Sequence, residues 1–559
     1  MKASQPMRIQ MDVKVPMRDG VSLASDVYLP PEGGPFPALV IRTIYHKQDG
    51  RYTAWTKRFV DAGYAVVMQD CRGRHDSEGA WEPYVHEEDD GFDTHQWMGS
   101  QSWCDGNVGT FGVSYVGFTQ TLPALQRSPY LKGIAPIASQ QDNFGHFYVD
   151  GALQLHVAMY FMNMAGKTMK RGSTAFLDWP TLWRSLPLVS ALDDIVDLPF
   201  FREAIRHSTF DEFWNSYGLR GRFGEAAVPA YFMTGWYDNL VHEGFKQFTG
   251  WRAGAGTDEA RRHTKLLVGP WSHSNIGSAE PFGDVDFGAE AAVDHIEEQI
   301  RWYDRRLRGI DNGIDDEPAV RVFVMGANTW RTADEWPLPE TQYTKFYLRG
   351  RGPANSLYGE GALSREAPGD ESPDRYSYDP ERPVPSVGGP YMLLDNSGPF
   401  DRRMVERRDD VLVYSTPPLE DEIEVTGPIS LTLHASSTAP DTDFTGTLVD
   451  VHPDGRATIL SEGLLRARFR DSIESPELME PGRVYEFKVD IWETSNLFKT
   501  GHRIRLEVSS SNFPRFDRNL NTGHAPGMDA EIEIADQTVY HDTSRPSHLT
   551  LPVIPRESG

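Results

Sequence analysis

The stretch TFGVSYVGFTQ, residues 110–120, decides the fold. A strand-like run ends at Ser114, and amphipathic residues 115–127 begin a helix. Gly112, two places before the serine, removes a side chain that would crowd a sharp strand-to-helix corner, and the corner itself exposes the serine Oγ. The general form of such a nucleophile elbow is G-x-S-x-G. Here the second glycine falls one place later, at Gly117, with Val116 in the expected position. A serine beside a glycine is more often a turn or a cap, so the neighbouring segments carry the reading.

Working outward, short apolar runs alternate with amphipathic stretches, as when parallel strands cross over through helices. The candidate strands are PALVIR (37–42), YAVVMQD (64–70), NVGTFGVS (107–114), LKGIAPIAS (131–139), AYFMTGWYD (230–238) and TKLLVGPWS (264–272). Several are almost continuously apolar, as strands covered on both faces should be. Residues 141–225 lose the strand signal and carry Phe, Met, Leu and Trp at helical spacing, which predicts a helical insertion. Residues 285–308 are predicted as one helix, acidic early and basic late, with Gly309 just beyond its end.

After about residue 340 the pattern changes to recurring strands: VLVYST, ISLTLHAS, GTLVDVHP, YEFKVDIW, IRLEVSSS and AEIEIAD. They are separated by Pro, Gly, Asp and Asn turns and predict a β-sandwich of jelly-roll type. A Pro- and Gly-rich stretch over about 350–392 reads as a linker. The expected organisation is an α/β-hydrolase core in two parts (1–140 and 226–340), a helical cap inserted at 141–225, and a jelly roll at 341–559.

The chemistry follows from two further strand ends in the chain order serine, acid, histidine. They are GWYDN, with Asp238, and GPWSH, with His273. A hydroxyl becomes a useful nucleophile when a neutral imidazole accepts its proton, and a carboxylate must hold that imidazole's tautomer and stabilise its charge. Taken singly, Asp238 reads as the N-cap of a helix over 240–253 and His273 as a loop histidine; their joint placement points to Ser114, His273 and Asp238 as a triad. Acyl transfer also needs donors for the developing oxyanion. The elbow places the Tyr115 backbone N–H, and Tyr45 in IRTIYHK, just after the first apolar run, offers a phenol.

The chain resembles the cocaine-esterase-like family of acyl hydrolases, related to X-prolyl dipeptidyl peptidases and α-amino acid ester hydrolases. The segments that carry the likeness are VPMRDGVSLASDVYLP, QDCRGRHDSEGAW, WCDGNVGTFGVSYVGFTQ, TGWYDN, GPWSHSN and SSNFPRFDRNLNTG, and the displaced Gly117 is itself part of the family's pattern. The resemblance implies the same triad, an oxyanion hole of the Tyr45 hydroxyl and the Tyr115 amide, and an α/β-hydrolase core with cap and jelly roll. α-Amino acid ester hydrolases of this kind carry an acidic pair just after the triad aspartate to bind an α-ammonium; here Asn239, Leu240 and Val241 follow, which lowers that branch. X-prolyl peptidases are generally longer at the N-terminus, whereas this chain is read as reaching its first core strand by residue 37. The expected activity is hydrolysis of a carboxylic ester or related acyl bond, with an amide- or X-prolyl-directed activity, acyl transfer, or a non-catalytic binding role as alternatives. The resemblance favours an apolar acyl part fitting an aromatic cap, with Phe144, Phe147, Tyr148, Met159, Tyr160 and Phe161 as cap candidates that more often form core than pocket.

Charge and composition narrow the partners. The 559 residues carry 55 Lys and Arg against 81 Asp and Glu, a formal net charge of −26. Such a field disfavours nucleic acid and anionic membrane surfaces as partners. Cys71 and Cys104 are the two cysteines, too few for a disulfide framework or a Cys-based zinc site, and one bridge is left open. With no h-region and no long apolar run, the chain is read as a cytoplasmic protein acting on a small molecule. The run HEEDD (86–90) is read as a solvated helix start rather than a metal site, no cofactor or metal is expected, and Arg72, Arg74 and Asp76 are read as organisers of the core's loops. Oligomeric state is left open.

Overall fold

The computed structural model describes residues 7–392 and 396–555. A ten-stranded sheet forms the first part of the chain. Its strands are β1 (Arg8–Pro16), β2 (Ser22–Leu29), β3 (Phe36–Thr43), β4 (Ala65–Asp70), β5 (Cys104–Val113), β6 (Leu131–Ile137), β7 (Tyr231–Tyr237), β8 (Lys265–Ser272), β9 (Val320–Val324) and β10 (Thr329–Ala333), in the order β1-β2-β4-β3-β5-β6-β7-β8-β9-β10. From β4 to β9 the neighbours run parallel, and the two edges are antiparallel. β3, β4, β7 and β8 are buried along their whole length, which explains their unbroken apolar reading: helices cover both faces, so neither face needs polar residues.

The six strands read from the sequence are present, and the structure adds four at the edges. The β1–β2 hairpin precedes residue 37, so the first sheet strand lies well upstream of the position expected. Most of β1 is exposed, and an edge strand without a buried face shows weak hydrophobic patterning. Residues 285–308 are not one helix. Gly283 and Gly288 take positive φ, a single 3₁₀ turn follows at Ala289–Ala291, and the helix runs only over His295–Arg308. Its true start is the Asp294 cap, which accepts from the Ile296 and Glu297 amides, and it ends on Gly309 in the left-handed conformation.

Between β6 and β7 the chain forms a cap of short helices, among them Asn143–Phe147, Leu155–Tyr160 and Pro199–Arg206. Of the aromatic and Met candidates there, Phe144, Phe147, Tyr148 and Met159 are core residues, each 3% exposed or less. The C-terminal region is a separate β-rich domain built on a twelve-stranded sheet. Its longest ladder pairs Ile423–Ser437 with Tyr485–Phe498, antiparallel, through twelve residue pairs with one bulge. The stretch read as a linker contains two short strands, Gly361–Ser364 and Asp374–Tyr378, that join this sheet. AEIEIAD is mostly not strand: residues 530–534 lie outside it, and pairing begins at Ala535. Ile534 is exposed, so the alternation that suggested a strand has no face to bury.

Buried charge ties the cap to the β-rich domain. The Arg466 guanidinium donates to Asp443 at 2.9 and 3.0 Å and to Asp517 at 3.0 and 3.1 Å. Asp517 Oδ1 in turn accepts from the Leu153 amide of the cap at 2.8 Å, and the Arg466 amide donates to the Asp150 carbonyl at 3.0 Å. Cys71 and Cys104 are free and buried. Among the described residues, no helix is long and apolar enough to cross a membrane. Arg466→Met keeps the bulk but leaves two buried carboxylates without their cation; it should lower the unfolding free energy by about 3–5 kcal/mol, measured as a shift of the urea midpoint. A loss below ~1 kcal/mol would show that this pairing does not hold the cap in place.

Candidate active site

The parallel strands bring their C-terminal ends to one edge of the sheet, where open α/β sheets bind ligands. Ser114 follows β5, Asp238 follows β7, His273 follows β8, and Tyr45 lies two residues past β3. Ser114 has φ 70° and ψ −133° and precedes the helix Tyr115–Ala124. This conformation is costly for a residue with a Cβ and persists only where surrounding structure enforces it. Two features enforce it: the Ser114 amide donates to the Ile137 carbonyl of β6 at 2.9 Å, and its carbonyl accepts from the Gly117 amide at 2.7 Å.

The two glycines of the motif have separate steric reasons. Gly112 has φ 137°, and a Cβ there would lie 2.2 Å from Val116 Cγ1. At Gly117 a Cβ would lie 2.7 Å from Ser139 Cβ and 2.9 Å from the Ile137 carbonyl. The helix therefore crosses directly over the end of β6, and the displaced glycine marks the point of closest approach.

His273 Nδ1 lies 3.0 Å from Asp238 Oδ1. Asp238 is fully buried, and the same oxygen accepts from the Leu240 amide at 2.8 Å, just before the helix Val241–Gly254. The N-cap of the helix Val241–Gly254 is Leu240, without a side-chain cap bond, so Asp238 is not the cap expected from the sequence: it lies two residues earlier and accepts from the Leu240 amide in the turn that leads into the helix. The loop carrying His273 is pinned by Asn275, whose Oδ1 accepts from both the amide and the hydroxyl of Ser272, at 2.6 and 2.9 Å.

The Tyr45 hydroxyl donates to Ser114 Oγ at 3.3 Å. Among the described residues, Ser114 Oγ has no hydrogen bond to His273, although both line the same narrow cavity with Tyr115, Phe161, Asn239 and Met392. Burial pushes the Tyr45 phenol up to about 12, with Tyr160 adding to the effect and the Ser114 bond opposing it, so it stays a neutral donor at physiological pH. Tyr115 opens a helix, and first-turn amides have no intrahelical acceptor. Its side chain is fixed from the other end: the phenol donates to Glu87 Oε1 at 2.9 Å and accepts from the Tyr84 amide at 2.8 Å.

That anchor corrects the reading of HEEDD. Glu87 and Asp90 are 3% and 1% exposed rather than solvated. Glu87 pairs with Arg42 of β3 at 2.9 Å, and Asp90 with Arg72 at 2.6 Å. Arg74, a neighbour in the same loop, donates to the carbonyls of Ile44, Met164 and Gly166, joining the core to the cap. His146 and Asn239 also line the cavity without a sequence signal for it: His146 sits in a short helix of the cap, and Asn239 stands in the sequence only as a neutral residue where an acid would bind an ammonium.

Comparison with known proteins follows the same outline. The X-Pro dipeptidyl-peptidase (S15 family) pattern matches residues 19–275, and the X-Pro dipeptidyl-peptidase C-terminal non-catalytic domain matches residues 312–550. The cocaine esterase of Rhodococcus sp. (strain MB1 Bresler) is 41% identical over 98% of this chain and 99% of its own. The chain belongs to the cocaine-esterase-like family of acyl hydrolases. Among solved structures, an α-amino acid ester hydrolase superposes with TM-score 0.86 and 25% identity, covering 99% of this chain and 97% of that one. An aminopeptidase from a marine sediment Thaumarchaeota archaeon gives the same TM-score at 24% identity, over 99% and 97%, and shows the fold alone. The enzyme is a serine hydrolase with an α/β-hydrolase core.

Gly112→Ala should destabilise the enzyme by about 2 kcal/mol or more, because the added methyl meets Val116 in a conformation already unfavourable for L-residues. Gly313→Ala is the control: its φ is 78° and nothing lies within 4 Å of the added Cβ. Equal losses for the two in urea unfolding would show that the elbow is not sterically tight.

Proposed function

We propose that the enzyme hydrolyses a carboxylic ester of a small molecule through an acyl-enzyme on Ser114. The observation that carries this reading is the convergence of Ser114, His273 and the Tyr45 hydroxyl on one cavity, with Asp238 bonded behind the imidazole. Ser114 Oγ attacks the ester carbonyl carbon and its proton passes to His273 Nε2, the nitrogen not engaged by Asp238. The tetrahedral oxyanion is held by the Tyr45 hydroxyl and the Tyr115 amide. Collapse expels the alcohol, which takes the proton from His273, and water repeats the sequence in reverse to release the acid. The mechanism requires the serine hydroxyl to turn from Tyr45 toward His273, and such bonds often tighten only when substrate is bound.

The matches to X-Pro dipeptidyl-peptidase families keep a peptide-directed activity as the second reading. Against it, no Asp, Glu, Lys or Arg lines the inner cavity among the described residues, so a free α-ammonium has no counter-ion there. Hydrolysis rather than acyl transfer is the simpler outcome for a site of this kind. We further take the chain as a core of 1–140 and 226–340, a cap of 141–225 and a jelly roll of 341–559, cytoplasmic, without nucleic-acid or membrane partners. The C-terminal region reaches the catalytic mouth: Met392 lines the inner cavity, and Tyr391, Asn396 and Pro514 line an outer one of about 550 Å³ that shares Tyr160 with it.

Ser114→Ala should abolish turnover of aryl esters, and wild-type activity in that variant would refute the proposal. Tyr45→Phe should lower kcat by about 10²–10³-fold with little change in KM, the loss typical of one oxyanion donor. Because the phenol is held neutral to about 12, wild-type kcat should show no fall from tyrosine ionisation up to pH 10. A tenfold fall between pH 8 and 10 in wild type, absent in Tyr45→Phe, would contradict that role.

A further inference from the structure

The chamber that holds Ser114 and His273 has a volume of about 20 Å³, room for a group the size of one water, so it takes the reacting carbonyl and little more. The bulk of any ester must lie to either side of it. Two cavities of about 550 Å³ each adjoin the chamber, one sharing Tyr160 with it and the other sharing Met164. Their walls differ in the sign of their charge. On the Met164 side the wall carries Glu82, Asp197 and Glu203, with neither Lys nor Arg among the described residues. On the Tyr160 side Arg171 is the one charged side chain among the described residues. His156 in that wall is neutral, because burial holds it down to about 3.

Arg171 is placed to receive an anion. One of its nitrogens donates to the Tyr160 hydroxyl at 2.6 Å, and it forms no ion pair among the described residues. Asp49 lies within reach of its charge, but that carboxylate accepts from the Arg51 amide at 3.0 Å and caps a helix. Lys167 and Lys170, in the same segment, bond to the Ser77 carbonyl and the Thr168 hydroxyl rather than to acids. On a chain of net charge −26, this segment is a local reversal of sign. The Tyr160 hydroxyl accepts from Arg171 and has no acceptor for its own proton among the described residues, so guanidinium and phenol together offer several donors to a carboxylate. Around them Trp179, Trp183, Tyr391 and Pro514 supply apolar surface. A carboxylate on an apolar or aryl body matches that wall. On the opposite side Asp197 and Glu203 are paired with Arg202 and Arg206, but Glu82 has no ion pair among the described residues and would repel an anion.

Resting on the reading of Ser114 as nucleophile, we infer that the substrate is an ester with a carboxylate on the part that fills the Tyr160 cavity, and that Arg171 is the specificity-determining residue that pairs with it. The carboxylate fixes which end of the substrate enters which cavity, since the reverse orientation sets it against Glu82 and leaves Arg171 without its anion. The same group can sit on the acyl or the alcohol part of the ester, and the test separates the two. Arg171 is exposed, so solvent and salt screen the pair and the preference falls as salt rises.

The test uses the full chain at low ionic strength and two pairs of aryl esters, each pair exchanging a carboxylate for the neutral carboxamide of the same shape. In 4-acetoxybenzoate and 4-acetoxybenzamide the group sits on the leaving phenol. In the mono-p-nitrophenyl esters of adipic acid and adipamic acid it sits on the acyl part. Each kcat/KM is divided by the rate of alkaline hydrolysis of the same ester and the ratio is taken within one protein, so leaving-group and folding differences cancel. Wild type should favour the carboxylate by about fivefold or more in one pair, which names the part that enters the Tyr160 cavity, and about 0.5 M NaCl should reduce that preference. Arg171→Gln should bring the ratio to about one, and Arg171→Lys should keep part of it. A smaller wild-type preference in both pairs, or no turnover of either acid, would overturn the inference, as would a preference that survives in Arg171→Gln. Those outcomes leave fluorophosphonate labelling of Ser114 intact. Turnover without that label would instead overturn the nucleophile reading, and this inference with it.

Discussion

The structure turns on the positive-φ corner at Ser114. An L-residue held at φ 70° is unfavourable in isolation, and the surrounding contacts impose it. The Ile137 carbonyl takes the serine amide, Gly117 lets the following helix lie directly on the end of β6, and Gly112 keeps Val116 clear of the preceding strand. Once the corner is fixed, the hydroxyl stands above the sheet and the first amides of the helix point to the same side. The other participants need only to arrive at neighbouring strand ends, which a parallel sheet supplies without further adjustment.

Much of this was legible in the sequence because its strongest signals share a cause with the structure. Strands buried on both faces read as continuous apolar runs, and the residues at their ends, Asp238 and His273, stand out against them. Tyr45, Ser114, Tyr115 and His273 line one cavity, with Asp238 behind it. What stayed hidden has equally physical reasons. β1 is mostly exposed and lacks a face to pattern, and the helix expected over 285–308 loses residues 285–294 because a charge gradient does not reveal the positive-φ Gly288 and the 3₁₀ turn after it. Glu87 and Asp90 looked like solvent-facing acids, since the partners that neutralise them, Arg42 and Arg72, are distant in sequence. His146 lies in a short helix with no periodic signal, so its place in the cavity wall could only come from tertiary packing.

Buried charge does structural work on two sides of the site. Arg42 and Glu87 steady Tyr115 from beneath, through its phenol. Arg466, Asp443 and Asp517 bind the β-rich domain to the cap and so hold the residues around the cavity in register with Ser114. Ion pairs of this kind contribute little net stability over apolar packing, but losing one partner is costly, which makes them effective at fixing one arrangement. A hydrolase that must keep an oxyanion hole aligned to within a fraction of an ångström gains from such rigidity.

The most direct measurement is intact-mass analysis after treatment with a fluorophosphonate, followed by peptide mapping, on wild type and on Ser114→Ala. The account predicts one stoichiometric adduct on the peptide containing Ser114 and no adduct in the variant. An adduct on another serine, or none on a protein that still turns over esters, would contradict it.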